Sequence, residues 1–289
     1  MSVIEPLSVE LQEMLGVAPV ELIPLQGATS SQIFEVRSGE NRWIIRRFIP
    51  ERWEISAPKL SAREEHILQT LTNGGLLAPE CIGTLTDNGV LMQKVPGHVY
   101  LPKRPEPYWI SELAARLVAI HASPLKLPYR YTSWNDQVGR PAPDWWADLP
   151  LWQSAQVVLR RMPQEDWRLI HRDYHPVNVL WEGRRISGVV DWINACMGPV
   201  GVDVAHCRLN LALMYGMDAA DAFLNAYRRG QPQYAHHPRW DVEEALSTLP
   251  DLKPYPPWAQ FGLGSLTTAD VRGRLVIFVE KAVERLASS

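Results

Sequence analysis

The sequence predicts an α+β fold with two lobes: an N-terminal antiparallel sheet with one main helix, and a larger, mostly helical C-terminal lobe. Short β-rich runs separated by turn residues fill the first third of the chain, whereas runs of helical periodicity dominate the remainder. The composition changes at Pro96 and Gly97, a pair typical of turns. Because 289 residues lie at the upper limit for one compact core, we predict two domains, residues 1–96 and 97–289.

Several strands and one helix are predicted for the N-terminal lobe. The runs VELIPL, SQIFEV and RWIIRRF are rich in β-branched and aromatic residues, and glycine and asparagine supply turns between them. Residues 60–72, LSAREEHILQTLT, carry Ile67, Leu68 and Leu71 at helical spacing, followed by a glycine pair that stops a helix. A last strand, GVLMQKV, runs up to the lobe boundary.

Helices and one hairpin are predicted for the C-terminal lobe. The runs WISELAARLVAIHA and LWQSAQVVLRRM have helical periodicity, and a connector rich in Trp and Pro joins them. Two apolar runs around a glycine turn predict a β-hairpin over residues 178–191. Further helices are expected over residues 202–215, 218–229 and 269–287.

The bulk composition excludes several classes of protein. The formal net charge of -3 offers no basic excess for nucleic acid, and charges interrupt every apolar run before it could span a bilayer. The N-terminus lacks the basic start and apolar core of a signal peptide, so a cytoplasmic location is expected. Cys81, Cys196 and Cys207 form no CxxC pair, which argues against a zinc site or a disulfide framework.

The segment HRDYHPVNVL carries the sharpest chemical signal. It contains His171, Asp173 and Asn178 in an H-x-D-x4-N pattern. Asp191 of VVDW follows at the end of the predicted hairpin. Phosphoryl transfer needs a carboxylate to position the attacking hydroxyl, and oxygen ligands to hold Mg²⁺. We therefore predict Asp173 as the catalytic residue and Asn178 with Asp191 as magnesium ligands. His171 and His175 are expected to brace the loop.

The same segment resembles the catalytic and metal-binding region of aminoglycoside phosphotransferases and choline kinases. The similarity extends to RRF, REEHILQTL, MQKVPG, AIHASP and DVAHCRLNLALMY. The resemblance implies a bilobal protein-kinase-like fold with ATP and Mg²⁺ as cofactors. Residues 1–96 would then be the nucleotide-binding lobe, and residues 97–289 the catalytic and substrate-binding lobe.

The resemblance also implies a set of nucleotide contacts. Arg46 stands where many such kinases have a phosphate-binding lysine, with Arg47 as a rival, and Glu64 would be its ionic partner. The loop LQGATSSQ would cover the phosphates, and the strand end at MQKV would contact adenine through its backbone. The residues implied at these two places are Gly27, Ser30, Ser31, Gln93 and Val95.

The phosphate acceptor is expected to be a small hydroxylated molecule. The connector offers aromatic and acidic side chains that suit an aminoglycoside-like antibiotic or amino sugar, although the same residues could simply anchor the connector. These are Trp134, Asp136, Asp144, Trp145, Trp146 and Asp148. A kinase for choline, ethanolamine or homoserine is the alternative, and a nucleotide-binding pseudokinase is a second one. Asp203 is expected to act structurally, as a helix N-cap.

Overall fold

A computed structural model shows a chain with two compact units. It describes residues 4–17, 21–25, 30–53, 55–134 and 136–287. The first unit comprises Met1–Pro96 and Gly188–Ile193, and the second comprises Gly97–Ser187 and Asn194–Ser289. Asp191 therefore belongs to the first unit, although it follows a strand that begins in the second.

The first unit is built on a five-stranded sheet in which every neighbouring pair is antiparallel, as the sequence predicts. The strand order is β1-β2-β3-β5-β4. The strands are β1 (Glu21–Leu25), β2 (Ser31–Ser38), β3 (Asn41–Phe48), β4 (Cys81–Thr84) and β5 (Gly89–Gln93). β3, the RWIIRRF strand, lies in the centre and presents one side chain after another to alternate faces.

The α-helices in the described part of the first unit are α1 (Ile4–Leu15) and α2 (Ala57–Asn73). α1 buries Leu7 and Leu11 in a cluster that includes Ile45 of β3. Because neighbouring residues of a strand point to opposite faces, Arg46 projects from the other side of β3, where it meets Glu64 of α2. The alternation of one strand thus separates the apolar core from a buried charged group.

The second unit contains two small sheets. β7 (Trp167–Ile170) pairs antiparallel with β10 (Cys196–Pro199), and β8 (Val179–Glu182) lies between β6 (His98–Val99) and β9 (Arg185–Val189). The predicted hairpin is present as β8 and β9. Its turn contains Gly183 with φ +59°, a conformation that suits glycine.

Six α-helices make up most of the described part of the second unit. They are α3 (Pro107–Ala122), α4 (Leu149–Leu159), α5 (Val200–Tyr215), α6 (Met217–Gly230), α7 (Pro238–Ser247) and α8 (Thr268–Ala287). α5 is buried on most sides and contacts α6, α7, α8 and β7. A Cβ atom at Gly201 would overlap the indole of Trp240, so glycine permits the close approach of α5 and α7.

The structure adds elements that the sequence patterns do not reveal. α1, α7, β4, β6, β7 and β10 are short or weakly patterned, and β7 finds its partner β10 beyond a hairpin and a loop. None of the helices in the described ranges combines the length and the apolar character that crossing a bilayer requires. The α+β class with an N-terminal antiparallel sheet is confirmed.

Candidate active site

The loop that follows β7 carries the H-x-D-x4-N motif on a strained backbone. Arg172 has φ +74°, in the left-handed region that non-glycine residues seldom adopt. The carboxylate of Asp203 in α5 accepts hydrogen bonds from the backbone amides of His171 and Arg172, each at 2.7 Å. These bonds offset the strain and fix the position of the next residue, Asp173.

Asp203 is structural, but the prediction that it caps a helix is wrong. Pro199 precedes the first helical residue, and Asp203 lies inside α5 with its side chain fully buried. Its carboxylate also lies 3.1 Å from Nε2 of His121. Burial opposes ionisation, but the hydrogen bond and positive charge of His121 lower the pKa of Asp203 below its ordinary value. Asp203 therefore remains an acceptor for the loop amides.

Asp173 contacts the next residue of the motif directly. The side-chain amide of Asn178 donates to the Asp173 carbonyl at 2.9 Å and to its Oδ2 at 3.3 Å. On the other side, Nδ1 of His171 accepts a hydrogen bond of 3.2 Å from the amide of Asp173. The Asp173 side chain is 26% exposed, so it is held on several sides and still reaches solvent.

His206 of α5 forms an ion pair with Asp173. Its Nε2 lies 3.1 Å from Oδ1 of Asp173, and its Nδ1 lies 2.6 Å from Oε1 of Glu244 in α7. Burial disfavours the imidazolium, but the two carboxylates outweigh it and raise the pKa of His206 to about 10. Burial likewise opposes ionisation of Asp173, yet the hydrogen bond from His206 and the neighbouring histidine charges lower its pKa. At neutral pH an imidazolium therefore joins two carboxylates.

Replacing His206 with Gln should lower the free energy of unfolding by on the order of 2 kcal/mol near neutral pH, because two carboxylates lose their shared cation. The folded-state pKa of about 10 exceeds the ordinary value of 6.5, so this stabilisation is complete below about pH 6.5 and is lost as the pH rises toward 10. Urea unfolding curves should show the gap between variant and wild type closing over that range.

The exposed His98 in the same unit provides a control for this measurement. His98→Gln removes a histidine that lies at the surface, so its unfolding free energy should follow that of the wild type at each pH. A deficit in His206→Gln that stays constant from about pH 6 to about pH 10 would contradict the ion-pair account.

Asp173, His175 and His206 also form a group whose ligand atoms all lie within 4.8 Å of one another. Nε2 of His175 is 3.7 Å from Oδ1 of Asp173, and the His175 ring stands edge-on to those of His206 and Tyr255. A metal ion bound between His206 and Asp173 would have to displace the Nε2 proton that His206 directs at Asp173. The described contacts of His175 agree with a bracing role.

A second charged group lies in the first unit. NH1 of Arg46 is 3.3 Å from Oε1 of Glu64 and 2.7 Å from Oδ1 of Asp191. Arg47, the rival position, pairs instead with Asp87 in the turn between β4 and β5. Arg46 and Glu64 are both buried, whereas the Asp191 side chain is 33% exposed. Three residues that the sequence singled out are thus in contact.

The electrostatics of this group depend on burial. Burial raises the pKa of Glu64 to about 7, with Arg46 opposing the shift and Asp191 adding to it. Within the described parts of the chain, Oε2 of Glu64 has no hydrogen-bond partner. Asp191 has φ +68°, so it is held in a strained backbone conformation, as Arg172 is. Such outliers concentrate where function requires a particular side-chain position.

Asn178 and Asp191 have the chemistry of magnesium ligands. Both hydrogen bonds of the Asn178 amide group use Nδ2, so its Oδ1 is not engaged in either of them. The Arg46 contact of Asp191 uses Oδ1, and the side chain reaches solvent. An amide oxygen and a carboxylate are the hard donors that Mg²⁺ prefers, so each of the two side chains offers a ligand atom of the type this ion binds.

The loop predicted to cover the phosphates is described in part. Gly27 lies outside the described residues. The carbonyl of Ser30 accepts hydrogen bonds from the amide of Ile49 at 3.2 Å and from the indole of Trp53 at 2.9 Å. Ser31 is buried as the first residue of β2. Ser31 thus begins β2 and Ser30 directly precedes it, and the contact of either serine with a nucleotide stays a prediction.

The residues predicted to contact adenine lie at the end of β5. The amide of Gln93 donates to the carbonyl of Glu80 at 2.8 Å, so this N–H group already belongs to the sheet. Val95 packs on Gly188, where an added Cβ atom would overlap its methyl group. The approach of Gly188 fixes the position of the chain at Val95, and the adenine contact stays a prediction.

The aromatic connector is anchored by its own contacts. Trp146 is buried, and the indole of Trp145 donates to a backbone carbonyl at 2.9 Å. Asp148 caps α4 by accepting from the amide of Leu151 at 2.9 Å. These contacts explain the three residues without a ligand. Trp134 differs, because it is exposed and stacks on Arg172 of the catalytic loop.

Sequence reasoning missed three residues beside Asp173, namely Arg172, His206 and Glu244. His206 contacts Asp173, and Glu244 contacts His206. Both residues lie on helices far along the chain, and no local pattern connects them with the motif. Arg172 lies within the motif itself. Its adjacency to Asp173 was a usable signal, but only the structure shows its two aromatic contacts.

The chain is similar to known phosphotransferases and kinases. Residues 21–241 match the model of a family described as the phosphotransferase enzyme family. A segment of 69 residues is 39% identical to homoserine kinase from Rhodopseudomonas palustris (strain BisA53). The aligned segment spans 22% of this chain and only 21% of that relative.

Solved structures share the fold at low sequence identity. An aminoglycoside-3'-phosphotransferase of type VIII has a TM-score of 0.60 and 19% identity, covering 83% of this chain and 97% of its own. Choline kinase LicA from Streptococcus pneumoniae has a TM-score of 0.60 and 17% identity, covering 99% of both chains. A complex of aminoglycoside phosphotransferase APH(4)-Ia with ADP and hygromycin B has a TM-score of 0.60 and 17% identity, covering 94% of this chain and 98% of its own. The predicted protein-kinase-like fold class is confirmed.

Proposed function

We propose that this chain, which belongs to the phosphotransferase enzyme family and is a small-molecule phosphotransferase, transfers the γ-phosphate of ATP to a hydroxyl group of its substrate. The observation that carries this proposal is the Asp173 carboxylate, which is held ionised and partly exposed on a braced loop. An ionised carboxylate can accept a hydrogen bond from an attacking hydroxyl, and this is the main task of a side chain in phosphoryl transfer.

In the proposed reaction Asp173 directs the acceptor oxygen at the γ-phosphorus. A bond forms between that oxygen and phosphorus, the bond from phosphorus to the ADP oxygen breaks, and the hydroxyl proton leaves through Asp173. Position and charge account for most of the rate in such a step. Asp203 and His206 maintain this position and charge through their contacts with the loop and with Asp173.

Arg46, Glu64, Asn178 and Asp191 serve the nucleotide in this proposal. Arg46 contacts the phosphates, and Glu64 orients its guanidinium. When bound, Mg²⁺ neutralises phosphate charge, and Asn178 and Asp191 supply its protein ligands. The solvent-exposed part of Asp191 supports its role, and so does Oδ1 of Asn178, which takes part in neither hydrogen bond of that side chain to Asp173. Gly27, Ser30, Ser31, Gln93 and Val95 are proposed as further nucleotide contacts.

Two classes of acceptor follow from different observations. An aminoglycoside or amino sugar is suggested by the acidic and aromatic connector, but Trp145, Trp146 and Asp148 have structural partners. A metabolite alcohol such as homoserine, choline or ethanolamine is suggested by the local match to homoserine kinase. The pseudokinase alternative has less support, because Asp173, Asn178 and Asp191 carry the groups that transfer requires.

The proposed function predicts acceptor-stimulated release of ADP. Purified protein with Mg-ATP should release ADP at a basal rate, and at least one acceptor class should raise that rate about tenfold or more. The panel comprises aminoglycosides, macrolides, sugars, choline, ethanolamine and homoserine, with an acceptor-free reaction as the control. Binding of Mg-ATP without stimulation by any class would instead favour the pseudokinase.

A further inference from the structure

Arg172 differs from the other buried arginines in having no carboxylate partner. It is only 7% exposed, and among the described residues its guanidinium forms neither an ion pair nor a hydrogen bond. The remaining buried arginines all pair with acids: Arg46, Arg208 and Arg239. Burying a charged group without a partner is costly, so a compensating group is expected at Arg172.

Two aromatic rings compensate for this charge in part. The guanidinium carbon lies 4.3 Å from the ring centre of Tyr131 and 4.1 Å from that of Trp134. Aromatic faces attract a cation through their quadrupole, but they do not satisfy the N–H donors in the guanidinium plane. The rings therefore hold the side chain in place and leave its hydrogen-bonding capacity for another group.

The site around Arg172 is built before any ligand binds. The hydroxyl of Tyr131 donates to Oε1 of Glu243 at 3.0 Å, and the Tyr131 amide donates to the carbonyl of Met197 at 2.8 Å. The Arg172 amide is fixed by Asp203 at 2.7 Å. Backbone and ring contacts thus restrict the guanidinium, so little conformational entropy is lost when an anion arrives.

Arg172 immediately precedes Asp173, so the two Cα atoms are about 3.8 Å apart. An acceptor that uses both residues has to extend from Asp173 to the guanidinium, which lies against the rings of Tyr131 and Trp134. A planar guanidinium fork matches a carboxylate in a bidentate manner. A single negative charge suits the site better than a doubly charged phosphate, because the carboxylate of Glu243 accepts a hydrogen bond from Tyr131, whose ring contacts Arg172.

We propose that Arg172 binds a carboxylate of the phosphate acceptor, so that the acceptor is a small hydroxy acid or a hydroxy amino acid. This inference rests on the proposed phosphotransfer at Asp173 and narrows its substrate class. Arg172 acts on binding, whereas Asp173 acts on the hydroxyl.

Matched pairs of acceptors test the inference in the ADP-release assay. L-homoserine is compared with 3-amino-1-propanol, and D-glycerate with glycerol, because the members of each pair differ in the carboxylate. Glycerol 3-phosphate distinguishes a preference for phosphate from a preference for carboxylate. The acids should show a kcat/KM at least about tenfold higher than their neutral partners, mainly through a lower KM. Arg172→Gln should abolish this preference.

A control variant separates loss of the site from a general loss of cationic surface. Arg184 is exposed and stacks on Tyr108 at 3.8 Å, so Arg184→Gln also removes a guanidinium from an aromatic face. It should keep the preference for acids. Arg172→Lys retains the charge but not the fork, and it should retain only a small part of the preference. Thermal unfolding identifies a variant that has failed to fold.

Calorimetric titration of L-homoserine and D-glycerate into the nucleotide-free protein makes the test independent of turnover. Acid binding that is at least about tenfold weaker in Arg172→Gln supports the site, even if no acceptor stimulates ADP release and the phosphotransfer proposal fails. Absence of acid binding to the wild type, or equal binding by Arg172→Gln, overturns the inference. A preference for neutral acceptors or for glycerol 3-phosphate overturns it as well.

Discussion

Replacing Asp173 with Asn is expected to lower kcat at least about a hundredfold while changing the affinity for Mg-ATP by no more than about twofold. The amide has nearly the size of the carboxylate and keeps an oxygen for the contact with His206. In the wild type, Nε2 of His206 lies 3.1 Å from Oδ1 of Asp173. The loop amides remain bonded to Asp203. Only the negative charge that accepts the hydroxyl proton is lost, so the effect falls on turnover.

Acceptor-stimulated ADP release and calorimetric titration with Mg-ATP measure these two quantities on the same preparation. Asp166→Asn serves as the matched control, because Asp166 is an exposed carboxylate of the same unit and should tolerate the change. If Asp173→Asn retains wild-type kcat, the hydroxyl is positioned by another group and the assignment fails. A loss of nucleotide affinity equal to the loss of kcat would point to a damaged fold.

Local sequence patterns were sufficient for much of the architecture. The composition of RWIIRRF predicts a strand, and its alternation also places Arg46 opposite the apolar face that contains Ile45. The spacing of apolar residues predicts α2, and the glycine turn predicts the β8–β9 hairpin. Each of these features is formed by residues that are close together in the sequence. Sequence periodicity reports on such local structure.

Contacts between distant segments were beyond such patterns. The sequence suggested Asp203 as a helix cap because it lies near the start of α5, but its carboxylate bonds to the loop after β7. The His206 contact with Asp173 and Glu244 likewise joins three separate elements. A histidine in an apolar helix is ordinarily a core residue. Its ion pair becomes visible only when the fold brings the two carboxylates to it.

Replacing Asp191 with Ala should weaken nucleotide binding at least about tenfold in the presence of Mg²⁺ and much less in its absence. In the proposed site, Asp191 supplies a metal ligand rather than a contact with the acceptor hydroxyl. Its charge also raises the pKa of Glu64, whose largest shift comes from burial. Removing Asp191 leaves Arg46 with Glu64 as its partner, so the buried carboxylate becomes easier to ionise.

Titration of ATP with and without Mg²⁺ tests the role of Asp191, and Asp87→Ala provides the matched control. Asp87 pairs with Arg47 just as Asp191 pairs with Arg46, but on the neighbouring residue of β3. Both substitutions remove one carboxylate from an arginine of the same sheet. A common effect of the two would reflect a general loss of ion pairs, whereas a magnesium-dependent defect confined to Asp191→Ala would identify this carboxylate as a metal ligand. Equal ATP affinity of Asp191→Ala and wild type with Mg²⁺ would refute the assignment.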